Sequence, residues 1–484
     1  METIHFKTVD PISQELLRSA SDRGIQLSWD RYEKLQPQDG FLRIGLSCPY
    51  GCLQGPCRID PFGRGAERGI CGLDKDQMAA ALLLRLALQG TLEAQGAAGT
   101  VDLSRTGPLD GVISAAAAKL GGGPLAVDEI AKTALLLSRP AGSPESLVIQ
   151  ALRLSLLALG FLDKRAAQPG GATLPLQAGY GLLAGKEVVI GVCGQPSAEF
   201  VETLAAEVSR ELPGRGQVVS LGSWIPLAKG YLPCVCTSGE AELLISSGKI
   251  HLLVAGPGTD PAVKELCGRL GISVASEKDP AGELIRDVRR FASLHPQKTF
   301  IFDPAHMEEV QVIQTSTKLQ QTVLGARLAL LGGTDMPQQP LGWIPGELAA
   351  ALRGAGWPVA AWGDAGLWIT KRGQASRENT PPVCILDGEQ GPLTAVRAFA
   401  ASGKPSTSLK VCYAGLKSCQ DLAVMLGLAE LGFKVSVAVP LPLWGSEAVR
   451  SLLQEKLAAQ GGTLAHFDHP AHAQELLDWF LKDS

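Results

Sequence analysis

KEVVIGVCGQPSAEFVETLAAEVSRELP, residues 186–213, changes the character of the chain. A short β-branched run ends in glycine and is followed by an amphipathic stretch, which reads as a strand feeding a helix. Downstream the alternation continues through GQVVSLGS, AELLISSGK, HLLVAGPG, PAVKELCGRLG, ISVAS and AGELIRDVRRFASL. A second block opens with KTFIFDP near residue 298 and runs on through PPVCILDGE, LKVCYAG, CQDLAVMLGLAELG, KVSVAVP and SEAVRSLLQEKLAAQGG. Upstream of residue 186 the period is helical, as in QMAAALLLRLALQGTLEA and PESLVIQALRLSLLALGFL, with glycine-rich links between segments. Strand-helix alternation predicts parallel sheets covered by helices. The expected class is therefore α/β: an N-terminal helical domain over 1–185, then two Rossmann-like α/β domains over 186–297 and 298–484.

A chain of 484 residues is too long for a single core and fits such a division. Its 44 basic and 48 acidic residues give a net charge of −4, with no basic block that could follow a phosphate backbone, so nucleic acid is not an expected partner. Apolar runs such as AAALLLRLAL are interrupted by charge, and the N-terminus lacks a positive start followed by an apolar run. The expectation is a cytoplasmic protein with no membrane segment. Eleven cysteines, an odd number, suit a reducing compartment better than a disulfide framework.

Four of those cysteines crowd into CPYGCLQGPCRIDPFGRGAERGIC, residues 48–71. Cys48, Cys52, Cys57 and Cys71 are separated by three, four and thirteen residues, a spacing suited to wrapping one compact metal centre. Tetrahedral zinc and an iron–sulfur cubane both take thiolates. Zinc ligands usually come as two tight pairs, whereas here three ligands crowd together and the fourth follows a glycine-rich loop, which suits the wider body of a [4Fe–4S] cluster. Glycines at 51, 55, 63, 65, 69 and 72 let backbone amides approach cluster sulfurs, and Arg58, Arg64 and Arg68 can offset the charge of thiolates and sulfides.

The wider run SWDRYEKLQPQDGFLRIGLSCPYGCLQGPCRIDPFGRGAERGICG, residues 28–72, resembles the N-terminal segment of the nickel-containing anaerobic carbon monoxide dehydrogenases. PLPLWGSEAV and GLKSCQDLAV resemble later segments of the same family. The resemblance implies a helical domain followed by two Rossmann-like domains. It also implies a four-iron cluster within the subunit, a second shared across a homodimer, and a nickel–iron–sulfur centre between the Rossmann-like domains. The ligands of the subunit's own cluster carry over onto Cys48, Cys52, Cys57 and Cys71, with one extra residue between the first two. Ligands of the shared cluster do not: Asp39 and Ser47 stand where the family has cysteines.

For the nickel centre, the resemblance places ligand cysteines at Cys236 and Cys419. No histidine stands near Cys193 and Gly194, where the family has one, and Gly258 or a neighbour replaces a further cysteine. Cys193, Cys236 and Cys419 are thus the candidates for a second, altered metal site, with Cys234, Cys384 and Cys412 as further donors. The alternative is that these thiols are small buried apolar residues. His466, His469 and His472 have spacing that can bind a metal, though a solvated loop fits them as well, and His251 reads as structural. GPGTDP and GQPSAEF are glycine turns before helices, neither a GxGxxG nor a P-loop. The expectation is an iron–sulfur protein that passes electrons to a redox partner or supports a complex, homodimeric by resemblance, without nickel and without ordinary CO oxidation. The other reading is an oxidoreductase with a rebuilt cluster between the Rossmann-like domains, acting on a small molecule.

Overall fold

In the computed structural model the protein is a mixed α/β molecule built on two largely parallel sheets and a set of packed helices. The structure describes residues 11–28, 30–31, 48–59, 64–98, 107–138, 142–164, 174–222, 225–236, 238–294, 300–312, 328–331, 383–386, 391–403, 406, 410–413, 418–438, 446–467, 475 and 478–479.

The first sheet grows from residues 188–193. VVIGVC is buried along its whole length, as a central parallel strand covered on both faces must be. In chain order its strands are β1 (Leu174–Ala178), β2 (Val188–Cys193), β3 (Gly216–Leu221), β6 (Cys234–Cys236), β7 (Leu252–Ala255), β8 (Ser273–Ala275) and β9 (Glu308–Val312), with a small hairpin of β4 (Pro226–Leu227) and β5 (Gly230–Tyr231) beside them. The seven strands lie in the order β8-β7-β2-β3-β6-β1-β9. All neighbours are parallel except β1 and β9. Strand order reverses between β2 and β7, the crevice in which such sheets bind ligands. The helix after β2 buries Val201, Leu204 and Val208 on one face, matching the amphipathic stretch in the sequence.

The second sheet is wholly parallel, in the order β11-β10-β12-β13-β14. These are β10 (Leu328–Leu331), β11 (Val383–Leu386), β12 (Lys410–Tyr413), β13 (Lys434–Ala438) and β14 (Thr463–Phe467). Its reversal falls between β10 and β12.

The helices, in chain order, are α1 (Pro11–Asp22), α2 (Lys75–Ala98), α3 (Asp110–Leu120), α4 (Asp128–Ser138), α5 (Pro144–Lys164), α6 (Ala198–Glu211), α7 (Ala241–Ser246), α8 (Pro261–Arg269), α9 (Ala281–Leu294), α10 (Gly391–Ser402), α11 (Cys419–Glu430) and α12 (Glu447–Ala458). α2, α5 and α11 form the central packing of the molecule. α5 is long and apolar enough to cross a membrane by length and composition, although the sequence reading found no such segment; 67% of that window is buried inside the protein, as in a core helix. Close approach is made possible by glycine. A β-carbon on Gly90 of α2 would lie 2.0 Å from the Cys419 carbonyl oxygen, and one on Gly427 of α11 would lie 2.9 Å from the Ser155 carbonyl oxygen of α5.

Two groupings of buried residues cross the boundaries expected from sequence. One apolar cluster joins Met78, Leu84, Leu154 and Phe161 to Met425, Leu428, Phe433 and Leu457, so the helices of 75–164 share a core with the second sheet. Another joins Leu16, Leu17 and Ala20 of α1 to Val189, Val219 and Leu253 of the first sheet. That sheet also takes in β1 and β9, which lie outside residues 186–297. Periodicity shows that a segment is helical or extended but not which surface covers it.

Candidate metal centre

The stretch around Cys48–Cys71 lies at the foot of α2. Asp74 and Gln77 start that helix reciprocally: the Gln77 amide donates to Asp74 Oδ1 at 2.9 Å and the Asp74 amide to Gln77 Oε1 at 3.2 Å. Tyr50 and Ile59 are sunk in the main apolar cluster, and Arg85 donates to the Pro49 carbonyl at 2.9 Å. The loop is therefore pinned at both of its shoulders.

Its backbone then brings the cysteines together. The Cys48 amide donates to the Cys57 carbonyl at 2.9 Å. Gly69 donates to Leu73 at 2.9 Å and Gly72 to Gly69 at 2.8 Å, a turn that carries Cys71 back toward the others. The Ile70 amide donates to Cys57 Sγ at 3.5 Å. Gly69 makes this approach possible, since a β-carbon there would stand 2.9 Å from Met78 Cε and 3.5 Å from Cys57 Sγ.

All four residues are free thiols. Cys48 and Cys57 are half-buried against the main cluster, whereas Cys52 and Cys71 are exposed. Burial pushes the Cys48 thiol up, a hydrogen bond from the Tyr50 backbone pulls it down, and Cys57, Cys71 and Cys52 are near enough to raise it further. Ionising several such thiols together requires a compensating cation. Exposed Arg58, Arg64 and Arg68 lie on the same loop, Arg68 donating to the Gly72 carbonyl at 2.9 Å. Among the described residues, no three His, Cys, Asp or Glu side chains are arranged so that they could hold a metal ion. The loop thus gathers four thiols within electrostatic reach without closing on a single ion.

Cys193 and Cys419 occupy equivalent places in the two sheets. Cys193 ends β2 beside the first reversal, and Cys419 begins α11 after β12, beside the second. Cys193, Cys236 and Cys267 lie in one apolar cluster, and burial pushes the Cys267 thiol up to about 12. Cys234 is fully buried, with Sγ 3.6 Å from the Gly222 carbonyl oxygen. The crevice at Cys193 is filled by its own loops. Its carbonyl accepts from the Gly256 amide at 2.9 Å and Thr259 Oγ1 at 3.0 Å, while the Gln195 amide donates to Pro257 at 2.9 Å. Gly194 has φ +71°, and a β-carbon there would lie 2.4 Å from the Pro257 carbonyl oxygen. Glycine is the residue this backbone admits.

At Cys419 the end of α11 is occupied by a carboxylate: Glu93 of α2 accepts from the Gln420 amide at 2.8 Å. Burial, with Glu93 and Asp421 beside it, raises the Cys419 thiol to about 11. Cys193, Cys236 and Cys419 are therefore not assembled as one metal-binding group among the described residues. Cys384 and Cys412 lie on β11 and β12, but the surroundings of their side chains fall outside the description. Asp39, Ser47, His469 and His472 also lie outside the described residues, and His466 is on β14. Gly258 sits in the turn before α8, where Asp260 caps the helix by accepting from the Ala262 amide at 2.9 Å. His251 is buried with Nδ1 accepting from the Val189 amide at 3.1 Å, and burial lowers its pKa. None of the described cysteines lines the cavity of about 340 Å³ bordered by Pro175, Gln177, Lys229 and Tyr231. Sequence reasoning missed Glu93, Met78 and the amides of Tyr50 and Ile70; the glycine at 69 was the available hint for the last.

No protein-family model matches the chain. Carbon monoxide dehydrogenase 1 of Methanosarcina mazei is 49% identical over 89 residues, which cover 18% of this chain and 14% of that relative. Over that stretch the chain is similar to the carbon monoxide dehydrogenases. The aligned stretch spans about one seventh of the relative's length. Among solved structures, carbon monoxide dehydrogenase IV from Carboxydothermus hydrogenoformans superposes with a TM-score of 0.68 at 19% identity, covering 98% of both chains. A Ni-free carbon monoxide dehydrogenase from Thermococcus sp. AM4, produced without CooC maturase, gives 0.67 at 18% identity, covering 99% of this chain and 97% of that one. The chain therefore shares the fold of these two structures across nearly its whole length, while its 49% identity to the Methanosarcina mazei protein is confined to 89 residues.

Proposed function

We propose that the protein binds one [4Fe–4S] cluster through Cys48, Cys52, Cys57 and Cys71 and serves in single-electron transfer or in supporting a partner complex, without CO oxidation. The observation that carries the reading is the loop itself: four free thiols on one pinned wrap, two facing the core and two facing solvent. When bound, such a cluster supplies a one-electron store. The chain's own part is to hold the thiolates, to shield the core-side pair, and to offset their charge through Arg58, Arg64 and Arg68. A redox partner protein and a homodimer belong to the same proposal, as does a cytoplasmic location.

The residues at the second site do not fit a nickel centre. Gly194 has no room for a ligand side chain, Cys193 and Cys236 are packed in apolar core, and at Cys419 the start of α11 is taken by the Glu93 carboxylate, which accepts from the Gln420 amide. Asp39 and Ser47 likewise supply no thiolates for a bridging cluster. The alternative, an oxidoreductase with a rebuilt cluster, draws on the position of Cys193 and Cys419 at the reversals of the two sheets.

Iron, sulfide, nickel and zinc are to be counted in protein purified without oxygen. About four irons and four sulfides per chain, without nickel, is the expected result. Nickel with CO turnover, or zinc alone bound at the four thiols, would overturn the proposal. Iron well beyond four would favour the rebuilt-cluster reading.

A further inference from the structure

The four thiols are not equivalent. Cys48 and Cys57 back onto the apolar cluster, and the Ile70 amide donates to Cys57 Sγ at 3.5 Å. Cys52 and Cys71 face solvent. The Ile70 side chain is 75% exposed, which leaves its amide as the feature that matters at that position. The Ile70 amide is positioned from two sides: Gly69, which precedes it, packs against Met78 Cε, and the Gly72-to-Gly69 and Gly69-to-Leu73 hydrogen bonds close the turn.

Resting on the cluster reading above, we propose that the Ile70 amide raises the cluster's reduction potential, acting on its core-side ligand Cys57. The electrostatics is direct. Reduction adds one electron, hence one negative charge, to a centre held by four thiolates. An N–H dipole aimed at a thiolate sulfur stabilises the more negative state, so each such bond raises the potential. Exposed Cys52 and Cys71 are solvated by water that rearranges with redox state. The core-side Cys57 depends on a dipole fixed in advance by the fold. Ile70 is a positioning residue here, and its side chain takes no part.

The test uses the full chain, iron-loaded and handled without oxygen. Ile70→Pro removes the amide hydrogen, and the cluster potential read by redox titration is expected to become more negative, while Ile70→Val keeps the amide and leaves the potential where it was. Because proline could also disturb the turn, a second measurement stands without it. In protein carrying 15N-isoleucine, the reduced cluster should show a 15N hyperfine coupling that disappears in Ile70→Val, whose residue 70 is unlabelled. Unchanged coupling in Ile70→Val, or an Ile70→Pro cluster with an unmoved potential, would overturn this inference while leaving the cluster reading intact. A preparation that holds no iron–sulfur cluster would instead remove the reading on which it rests.

Discussion

Replacing Glu430 by glutamine should make the protein more stable, and increasingly so as the solution becomes alkaline. Glu430 ends α11 with no exposed surface, and neither carboxylate oxygen makes a hydrogen bond of normal geometry. Burial raises its pKa from 4.5 to about 8, with Gln460 and Lys119 pulling it back only in part. A raised carboxyl pKa means that the folded protein holds a proton that the unfolded chain has released. Stability from this group is present below pH 4.5, falls as pH rises through the interval, and is fully lost above about 8. The whole loss is at most about 5 kcal/mol. Between pH 6.5 and 8.5 the wild type should lose about 2 kcal/mol through this residue alone. Glutamine has nearly the same shape and no charge to bury, so the variant loses none of it. Urea unfolding of both proteins at the two pH values isolates the effect, because any pH-independent cost of the substitution cancels in the comparison. A stability gap that stays constant, or narrows toward pH 8.5, would refute the argument.

Gly90→Ala places a methyl group 2.0 Å from the Cys419 carbonyl oxygen and must push α2 off α11; a loss of about 1–3 kcal/mol in urea unfolding is expected. Arg153→Ala strands the buried Glu129 carboxylate that Arg153 meets at 2.6 Å and leaves the Gly123 carbonyl without its donor at 3.1 Å, for a cost of about 3–5 kcal/mol measured the same way. Gly194→His restores an imidazole to the sequence but not to a site: it should lower the thermal midpoint and bind no added nickel in equilibrium dialysis.

The elements were legible wherever local pattern decides them. VVIGVC followed by a helix with Val201, Leu204 and Val208 on one face could be read directly, and so could the crowding of four cysteines into one loop. Partner choice was not. α1 could equally have packed on the helices of 75–164, yet Leu16 and Leu17 lie with the first sheet, since amphipathicity fixes a face and leaves its neighbour open. At the reversal of the second sheet, Cys419 was visible as a thiol at a helix start, but Glu93 comes from a helix more than three hundred residues earlier in the chain. The Tyr50 and Ile70 amides belong to the backbone, where side-chain identity says little. Only glycine at 69 marked the place where the chain had to come close.

One core shared between residues 78–161 and residues 425–457 also bears on biogenesis. The ribosome releases the thiol loop early, while the helix and strands that shore up its footing are still to be made. A nascent chain therefore carries the thiol loop on α2 and its helical neighbours alone, and the core behind them is completed only once residues 425–457 have been synthesised and docked.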